Sequence, residues 1–149
     1  MEHEKYMELA LRLASGAALD GEVPVGCVIV AADGSVLGVG RNRRESGRDA
    51  TAHAEIEAIR AAGAAGGSWR LDGCTMYVTL EPCPMCAGAV INSRLGAVYY
   101  GAPDPIGGAC GSVIDLFFER FGHSPRVFPG LLADESAELL RGFFGTLRK

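Results

Sequence analysis

Two short segments constrain this chain more than any other feature: His53-Ala54-Glu55 and, thirty residues after the histidine, the segment Pro82-Cys83-Pro84-Met85-Cys86. One imidazole and two thiolates supply three ligands to a zinc ion. They leave the fourth tetrahedral position to water, which is the arrangement of a catalytic rather than a structural zinc. Glu55 places a carboxylate two residues from the histidine, where it can exchange protons with that water. The chain must therefore fold so that the two segments meet.

The specificity of this pattern lies in the combination. H-x-E alone is common by chance, and C-x-x-C alone also occurs in zinc ribbons and in thioredoxin-like redox pairs. H-x-E followed by P-C-x-x-C is the signature of zinc-dependent nucleobase deaminases. The combined pattern predicts His53, Cys83 and Cys86 as zinc ligands and Glu55 as the catalytic proton carrier.

Two alternatives to a catalytic zinc are a redox dithiol and a structural zinc site. A structural site would need a fourth protein ligand, for which Cys74 and Cys110 are the available donors. Cys27 lies in an apolar run and is expected to be a small core residue.

Length and composition favour one compact domain over residues 1–149. The chain has 48% hydrophobic residues and 21 glycines, which fits an α/β protein with many tight turns. No apolar run approaches the length of a membrane span. The start of the chain is acidic and does not resemble a signal peptide, so we expect a cytoplasmic protein with reduced thiols.

Charge is unevenly distributed. The net charge of −4 argues against a protein that coats nucleic acid without selectivity. The stretch 41–48 nevertheless holds Arg41, Arg43, Arg44 and Arg48 against Glu45. This stretch is either a solvated loop or a basic rim that contacts phosphates.

Hydrophobic periodicity predicts helices that alternate with strands. The second helix is expected to have Thr51 as N-cap and Ile56, Ile59 and Gly63 on its inner face. The order predicts a three-layer α/β/α domain with a mixed sheet. The predicted helices cover 2–18, 52–65, 84–93, a short stretch within 113–120, and a final segment capped by Asp134; the predicted strands cover 25–30, 36–39, 75–80, 97–100 and 126–128.

The motif residues fall at the starts of two predicted helices. His53 and Glu55 are expected in the first turn of one, and Cys83 and Cys86 at the start of the other, where Pro84 suits the first turn. Two helix N-termini would then converge on the metal, and their positive ends favour thiolate over thiol.

Several longer segments resemble the bacterial tRNA-specific adenosine deaminases. They are Glu22-Val23-Pro24-Val25-Gly26, the segment Thr51 to Glu55, the segment Tyr77 to Ala89, and Leu131-Leu132-Ala133-Asp134-Glu135. The similarity covers nearly the whole chain, whereas the wider group with a cytidine deaminase-like fold shares only the zinc motifs. The resemblance implies that fold, with a central mixed five-stranded sheet.

The resemblance also implies a function: hydrolytic conversion of adenosine to inosine at the wobble position of an arginine tRNA anticodon. It implies a homodimer with one zinc ion per subunit. Asn42 matches a substrate-contacting asparagine, Asp104 matches a position that meets nucleotides beside the target, and the target base would lie near Val25 and Ala54. The alternative on the same fold is a deaminase of free nucleobases or nucleosides, of the guanine or cytosine type.

Some positions depart from the family pattern. Ile106 stands where many members have a polar residue, and Gly122 stands where an asparagine is expected before His123. These departures bear on RNA contacts rather than on catalysis. The sequence leaves the roles of Cys110 and His123 open, and Glu81 is either a strand-end carboxylate or part of the site.

Overall fold

The computed structural model describes residues 2–147, and Met1, Arg148 and Lys149 lie outside the described residues. Within this range the chain forms four helices, five strands and one short 3₁₀ turn, Leu116–Phe118. In chain order the main elements are α1 (Glu2–Leu19), β1 (Gly26–Val30), β2 (Val36–Arg41), α2 (Ala54–Gly66), β3 (Thr75–Leu80), α3 (Pro84–Ser93), β4 (Ala97–Ala102), β5 (Arg126–Phe128) and α4 (Ala133–Leu147).

The five strands form one mixed sheet in the order β2-β1-β3-β4-β5. Strand β1 pairs antiparallel with both β2 and β3, and β3, β4 and β5 run parallel. Because strand directions are fixed in this way, the C-terminal ends of β2, β3 and β4 meet the start of β1 at one edge of the sheet. The predicted mixed five-stranded sheet is confirmed.

Alternate residues of the strands point to two different cores. Ile29 and Met76 belong to the core under α2 and α3, whereas Val28 and Tyr77 pack against α1. Helix α4 joins α1 on that second face, where Leu131 and other residues near its start contribute. The predicted three-layer α/β/α arrangement is therefore confirmed. Among residues 2–147, no helix combines the length and the apolar character needed to cross a bilayer.

Helix α2 lies unusually close to the edge strand β2. A Cβ atom on Gly38 would overlap the backbone of Ala58 and Ala62, and one on Gly40 would overlap the backbone of Ala54 and Ala58. The buried face of α2 is accordingly Ala54, Ala58 and Ala62. Small residues on both partners let the helix backbone rest directly on the strand, and this contact fixes where α2 begins.

The predicted inner face of α2 was therefore wrong in its main residues, although Ile59 packs against the core from the side. Ile56, Ile59 and Gly63 are only partly buried, because the close contact with the strand selects the alanine face. Thr51 is not the N-cap either. Its hydroxyl donates to Asp49 Oδ1 at 2.7 Å within a preceding turn, and the helix starts at Ala54.

Other boundaries differ by a few residues. Strand β4 continues to Ala102, two residues beyond its predicted end, because it pairs with β3 as far as Leu80. The short helix predicted within 113–120 is only a 3₁₀ turn, in which the Asp115 side chain accepts a hydrogen bond from Phe117 N at 3.2 Å. The last helix begins at Ala133 rather than after an Asp134 cap.

Candidate active site

The metal-binding candidates lie where two helices begin at the same edge of the sheet. His53 is the N-cap residue of α2 and Cys83 is the N-cap residue of α3. Cys86 lies in the first turn of α3, behind Pro84 at its start. His53 thus precedes the helix instead of occupying its first turn as predicted. Neither N-cap side chain is used for capping, so both reach into the space between the helices.

The spacing of these three side chains fits a tetrahedral zinc ion. His53 Nδ1 lies 3.6 Å from Cys83 Sγ and 3.5 Å from Cys86 Sγ. Zn–S bonds of about 2.3 Å and a Zn–N bond of about 2.0–2.1 Å, at a tetrahedral angle, separate nitrogen from sulfur by about 3.6 Å. All three ligand atoms lie within 4.8 Å of one another. The cluster could therefore hold one zinc ion.

Hydrogen bonding among these groups redistributes their protons. The hydrogen bond from Cys86 lowers the pKa of Cys83 to about 4, and His53 contributes in the same direction. The hydrogen bond to Cys83 raises the pKa of His53. The pKa of Cys86 is raised by its hydrogen bond to Cys83 and by burial. Cys83 is thus the thiolate of the pair, and a divalent cation would displace the proton that Cys86 shares with it.

Glu55 lies one residue inside α2 and is only 4% exposed. Burial raises its pKa to about 7, with a further contribution from the charge of Cys83. A carboxyl group with a pKa near neutrality can both accept and release a proton, which is what general acid–base catalysis requires. His53 is the last residue in an extended conformation, and Glu55 already lies in the first turn of α2. The two-residue spacing of H-x-E therefore places both side chains at the site.

A cavity of about 150 Å³ opens onto the cluster. A cavity of this size accommodates one aromatic ring. Seven of the eight predicted site residues line this cavity, and the eighth, Cys86, is fully buried behind them. The seven are Val25, Asn42, His53, Ala54, Glu55, Cys83 and Asp104.

Asn42 and Asp104 are held by the backbone around them. Asn42 Nδ2 donates to Val23 O at 3.3 Å, and Asn42 Oδ1 accepts from Arg44 N at 3.2 Å. Asp104 Oδ1 accepts from the backbone N–H groups of Ile106 and Gly107, both at 3.1 Å. Each residue enters the cavity wall from a loop that is ordered by its own side chain. Ile106, which differs from the family pattern, lies two residues after Asp104 and is 90% exposed.

Glu81 belongs to the cavity wall and is 2% exposed, so it is more than a strand-end carboxylate. Burial raises the pKa of Glu81, but hydrogen bonds from Ser112, Asp104 and Cys110 outweigh burial and hold the pKa below its ordinary value. Sequence reasoning missed Arg44 as a cavity residue. The arginine-rich composition of 41–48 was the available signal, but it did not indicate which arginine faces the site.

The residues left open by the sequence are now located. His123 Nε2 lies 2.7 Å from Leu95 O, just before β4 and therefore at the opposite edge of the sheet, which indicates a structural tie. Gly122 has a φ of 84°, in the left-handed region that glycine and asparagine both tolerate, which explains the exchange. Cys110 donates its backbone N–H to Glu81 Oε2 at 2.9 Å. Among residues 2–147, neither Cys74 nor Cys110 joins the three-residue cluster.

The four arginines of the 41–48 stretch differ in their surroundings. Arg41 is half-buried and pairs with Asp20 at 2.7 Å between Nη2 and Oδ2. Arg43, Arg44 and Arg48 are exposed, and Arg44 lies 3.9 Å from Glu45. Of the four, only Arg44 lines the cavity, whereas Arg41 and Arg43 line a separate groove beside Gly40 and Glu57.

Comparison with known proteins gives the same family. The family model described as the cytidine and deoxycytidylate deaminase zinc-binding region matches residues 1–102. The tRNA-specific adenosine deaminase of Bacillus subtilis (strain 168) is 46% identical over 149 residues, which cover 99% of this chain and 92% of the relative. The tRNA(Ile)-lysidine synthase of Deinococcus radiodurans is 49% identical over 140 residues, but the chain spans about a quarter of that protein's length (24%).

Solved structures support the comparison. A structure from a study of A-to-I editing by tRNA:A34 deaminases at the wobble position of transfer RNA superposes with a TM-score of 0.88 at 48% identity, covering 91% of this chain and 99% of that chain. The guanine deaminase from Nitrosomonas europaea superposes with a TM-score of 0.84 at 27% identity, covering 95% of this chain and 84% of that chain. The chain belongs to the cytidine and deoxycytidylate deaminase family of zinc-binding proteins, and within it to the tRNA-specific adenosine deaminases.

Proposed function

We propose that this protein is a zinc-dependent hydrolase that deaminates adenosine to inosine at the wobble position of a tRNA anticodon. The observation that carries the proposal is the tetrahedral spacing of His53, Cys83 and Cys86 beside the buried carboxyl of Glu55. The relatives named tRNA-specific adenosine deaminase, at 46% and 49% identity over more than nine-tenths of their length, support adenosine in tRNA as the substrate.

His53, Cys83 and Cys86 would hold the zinc, which when bound supplies Lewis acidity that activates a water molecule for attack. In the reaction the water oxygen bonds to purine C6, the bond from C6 to the amino nitrogen breaks, and ammonia leaves. Glu55 accepts the proton that water loses and delivers a proton to the departing nitrogen. Its burial supports this role, because burial raises the pKa and makes this carboxyl a better proton acceptor than an exposed glutamate.

The cavity walls would bind the target base outside the RNA stack. Val25 and Ala54 supply apolar surface for a flipped base, and the size of the cavity matches one ring system rather than a stacked pair. Asn42 has one N–H that its bond to Val23 does not use, which can donate to the substrate. Asp104, on the neighbouring loop, is proposed to meet a nucleotide beside the target.

The exposed arginines after β2 would contact the RNA backbone. Arg43, Arg44 and Arg48 are exposed on the loop that carries Asn42, and Arg44 also lines the cavity, so we expect Arg44 to contact a phosphate near the target nucleotide. Phosphate contacts position an RNA without reading its sequence. The selectivity proposed for an arginine tRNA must therefore come from base contacts in and beside the cavity.

We also propose that the protein acts as a homodimer in the cytoplasm. A groove between α2 and α3 contains Ile59, Gly63 and Ala89, and Trp69 beside them is 62% exposed. An exposed tryptophan in a small-residue groove is the kind of anchor that interfaces use. Light scattering at micromolar concentration should give twice the chain mass, and Trp69→Arg should shift it towards a single chain.

Deamination of a free nucleobase is the second candidate, and it is favoured by the similarity to the guanine deaminase structure. The two candidates share the zinc chemistry and differ in what surrounds the base. A deaminase of free bases needs the cavity and Asn42, but it gains nothing from a basic loop.

One assay separates these candidates. Purified, zinc-loaded protein is incubated with a synthetic anticodon stem-loop containing wobble adenosine, with the same stem-loop carrying guanosine there, and with free adenosine, cytidine and guanine. We expect inosine only from the first substrate, and loss of the activity after zinc is removed by a chelator. Turnover of free guanine or cytidine with no inosine in the stem-loop would refute the proposal.

A further inference from the structure

Two buried carboxylates lie beside the cavity without belonging to the proposed chemistry. Glu22 is 1% exposed and Glu81 is 2% exposed. Burying a carboxylate is unfavourable unless hydrogen bonds or charges replace the lost water. Both carboxylates lie at the edge of the sheet where the cavity opens, since Glu22 precedes β1 and Glu81 follows β3.

The Glu81 carboxylate accepts four hydrogen bonds from a single loop. Oε1 accepts the backbone N–H of Asp104 at 3.0 Å and the hydroxyl of Ser112. Oε2 accepts the backbone N–H groups of Cys110 at 2.9 Å and Ser112 at 3.1 Å. The loop folds around the carboxylate so closely that a Cβ atom on Gly108 would overlap it. The loop that carries Asp104 is thus wrapped around one side chain from β3.

Glu22 holds a different loop in the same manner. Its Oε1 accepts the backbone N–H of Glu45 at 3.0 Å, and its Oε2 accepts that of Ser46 at 2.6 Å. Burial raises the pKa of Glu22, but these hydrogen bonds and the nearby Arg44 outweigh burial and hold the pKa below its ordinary value. Glu22 is therefore ionised at neutral pH, and each bond to it is charge-assisted.

The two anchored loops form the two sides of the cavity. One follows β2 and contributes Asn42 and Arg44, and the other follows β4 and contributes Asp104. In the sheet, β2 and β4 flank the β1–β3 pair. The metal cluster and Glu55, in contrast, are fixed by α2 and α3. The catalytic groups are thus held by the two helices, and the substrate-contacting groups are held by the two loops.

We propose that Glu22 and Glu81 are positioning residues that hold the two substrate loops at the spacing one flipped nucleotide and its neighbours require. The inference rests on the proposed function, because it takes these loops to contact RNA. Losing either carboxylate releases its own loop and leaves the metal cluster intact. For Glu81, whose loop carries Asp104, the effect therefore falls on substrate binding more than on the chemical step. For Glu22, whose loop carries Asn42, it falls on both.

The test uses Glu81→Gln and Glu22→Gln in the zinc-loaded protein. An amide in place of the carboxylate removes the charge and presents an N–H₂ group to backbone donors. Hydrogen exchange is followed by mass spectrometry over residues 103–112 and 42–48. We expect Glu81→Gln to speed exchange by at least about tenfold in 103–112 only, and Glu22→Gln to do so in 42–48 only. Each loop is the control for the other variant.

Kinetics on the anticodon stem-loop give the second readout. For Glu81→Gln we expect KM to rise by about 10- to 100-fold, the loss that follows from breaking hydrogen bonds to a charged group, while kcat changes by less than about threefold. Zinc content should stay at one ion per chain. Equal exchange in both loops, or a fall in kcat with KM unchanged, would overturn the inference.

Ser112→Ala covers the case in which Glu81→Gln fails to fold. Ser112 is exposed, and the substitution removes only its hydroxyl bond to Glu81 while the backbone N–H bond remains, so this variant should fold normally. Its KM should rise by about 3- to 10-fold, with faster exchange confined to 103–112. No change in either quantity contradicts the inference. If the wild-type protein does not deaminate the stem-loop, the proposed function fails, while the exchange experiment still tests the anchoring.

Discussion

Replacing Gly40 with alanine should move the helix that carries His53 and Glu55. A Cβ atom at this position would overlap the carbonyl oxygen of Ala54 and lie 2.7 Å from the backbone nitrogen of Ala58. Both obstacles are helix backbone, which has no alternative rotamer. The structure can accept the methyl group only if α2 moves away from β2.

The expected magnitude follows from that contact. Overpacking a close-packed interior costs about 1–3 kcal/mol. For a domain of this length each kcal/mol lowers Tm by about 2–4 °C, so Gly40→Ala should melt about 2–12 °C below the wild-type protein. Displacement of the helix start also shifts Glu55 relative to the α3 cysteines, and a shift of about 1 Å can reduce turnover about 10²-fold.

Calorimetry, zinc content and stem-loop turnover together check this prediction. Gly66→Ala is the matched control, because a Cβ atom at the end of α2 meets nothing within 4 Å. The control should melt at or slightly above the wild-type temperature, since alanine is favoured over glycine in a helix by about 0.5–1 kcal/mol. If Gly40→Ala melts and turns over like Gly66→Ala, the close contact does not set the position of α2.

Four further predictions concern the site and its loops. Cys83→Ser should lose most of its zinc by elemental analysis and melt at a lower temperature, because the metal stabilises only the folded state. Asn42→Ala should lower kcat at saturating stem-loop, since it removes a donor beside the reacting base; an effect on KM alone would contradict this role. Arg44→Ala should weaken stem-loop binding and reduce its salt dependence by about one unit of slope in filter-binding titrations, because Arg44 lines the cavity, whereas Arg126→Ala, at the opposite edge of the sheet, should change neither. The ionised Glu22 should stabilise the wild-type protein at neutral pH but not in acid, and Glu22→Gln lacks this contribution at every pH. The folded pKa of Glu22 lies below its ordinary 4.5, so the contribution is present above that pH and disappears as pH falls through the folded pKa. Urea titrations that show a constant difference between the two proteins from neutral pH into acid would refute this.

The location of the site could be predicted from the sequence because its signals are local. His53 and Glu55 are two residues apart, and Cys83 and Cys86 are three apart at a helix start marked by Pro84. The strand before each motif was also evident from its β-branched and apolar residues. Such short spacing brings the side chains of each motif together independently of the tertiary structure.

The packing of α2 could not be predicted because it depends on a distant partner. Periodicity assigned Ile56 and Ile59 to the inner face, as for an average amphipathic helix. The glycines at 38 and 40 allow backbone contact with the alanines instead, and no pattern within α2 reports what lies across from it. Tertiary packing against β2, rather than the periodicity of the helix itself, therefore determines which face of α2 is buried.

The loop anchors were missed for a related reason. Glu22 bonds to backbone N–H groups 23 and 24 residues away, and Glu81 to groups 23 to 31 residues away. Backbone donors carry no residue identity, so the sequence has no signal for their partners. Glu22 and Glu81 can be seen in the sequence as acidic residues before a strand and a motif, but the loops that they anchor cannot.

If Glu55 carries the proton while His53, Cys83 and Cys86 hold the metal, the two roles can be separated in one variant. Zinc content and single-turnover inosine formation are measured in the same preparation of Glu55→Ala. We expect one zinc ion per chain, a fold like that of the wild-type protein, and a rate reduced by at least about 10²–10⁴-fold on the anticodon stem-loop. Zinc content and inosine formation that both match the wild-type protein would contradict these roles.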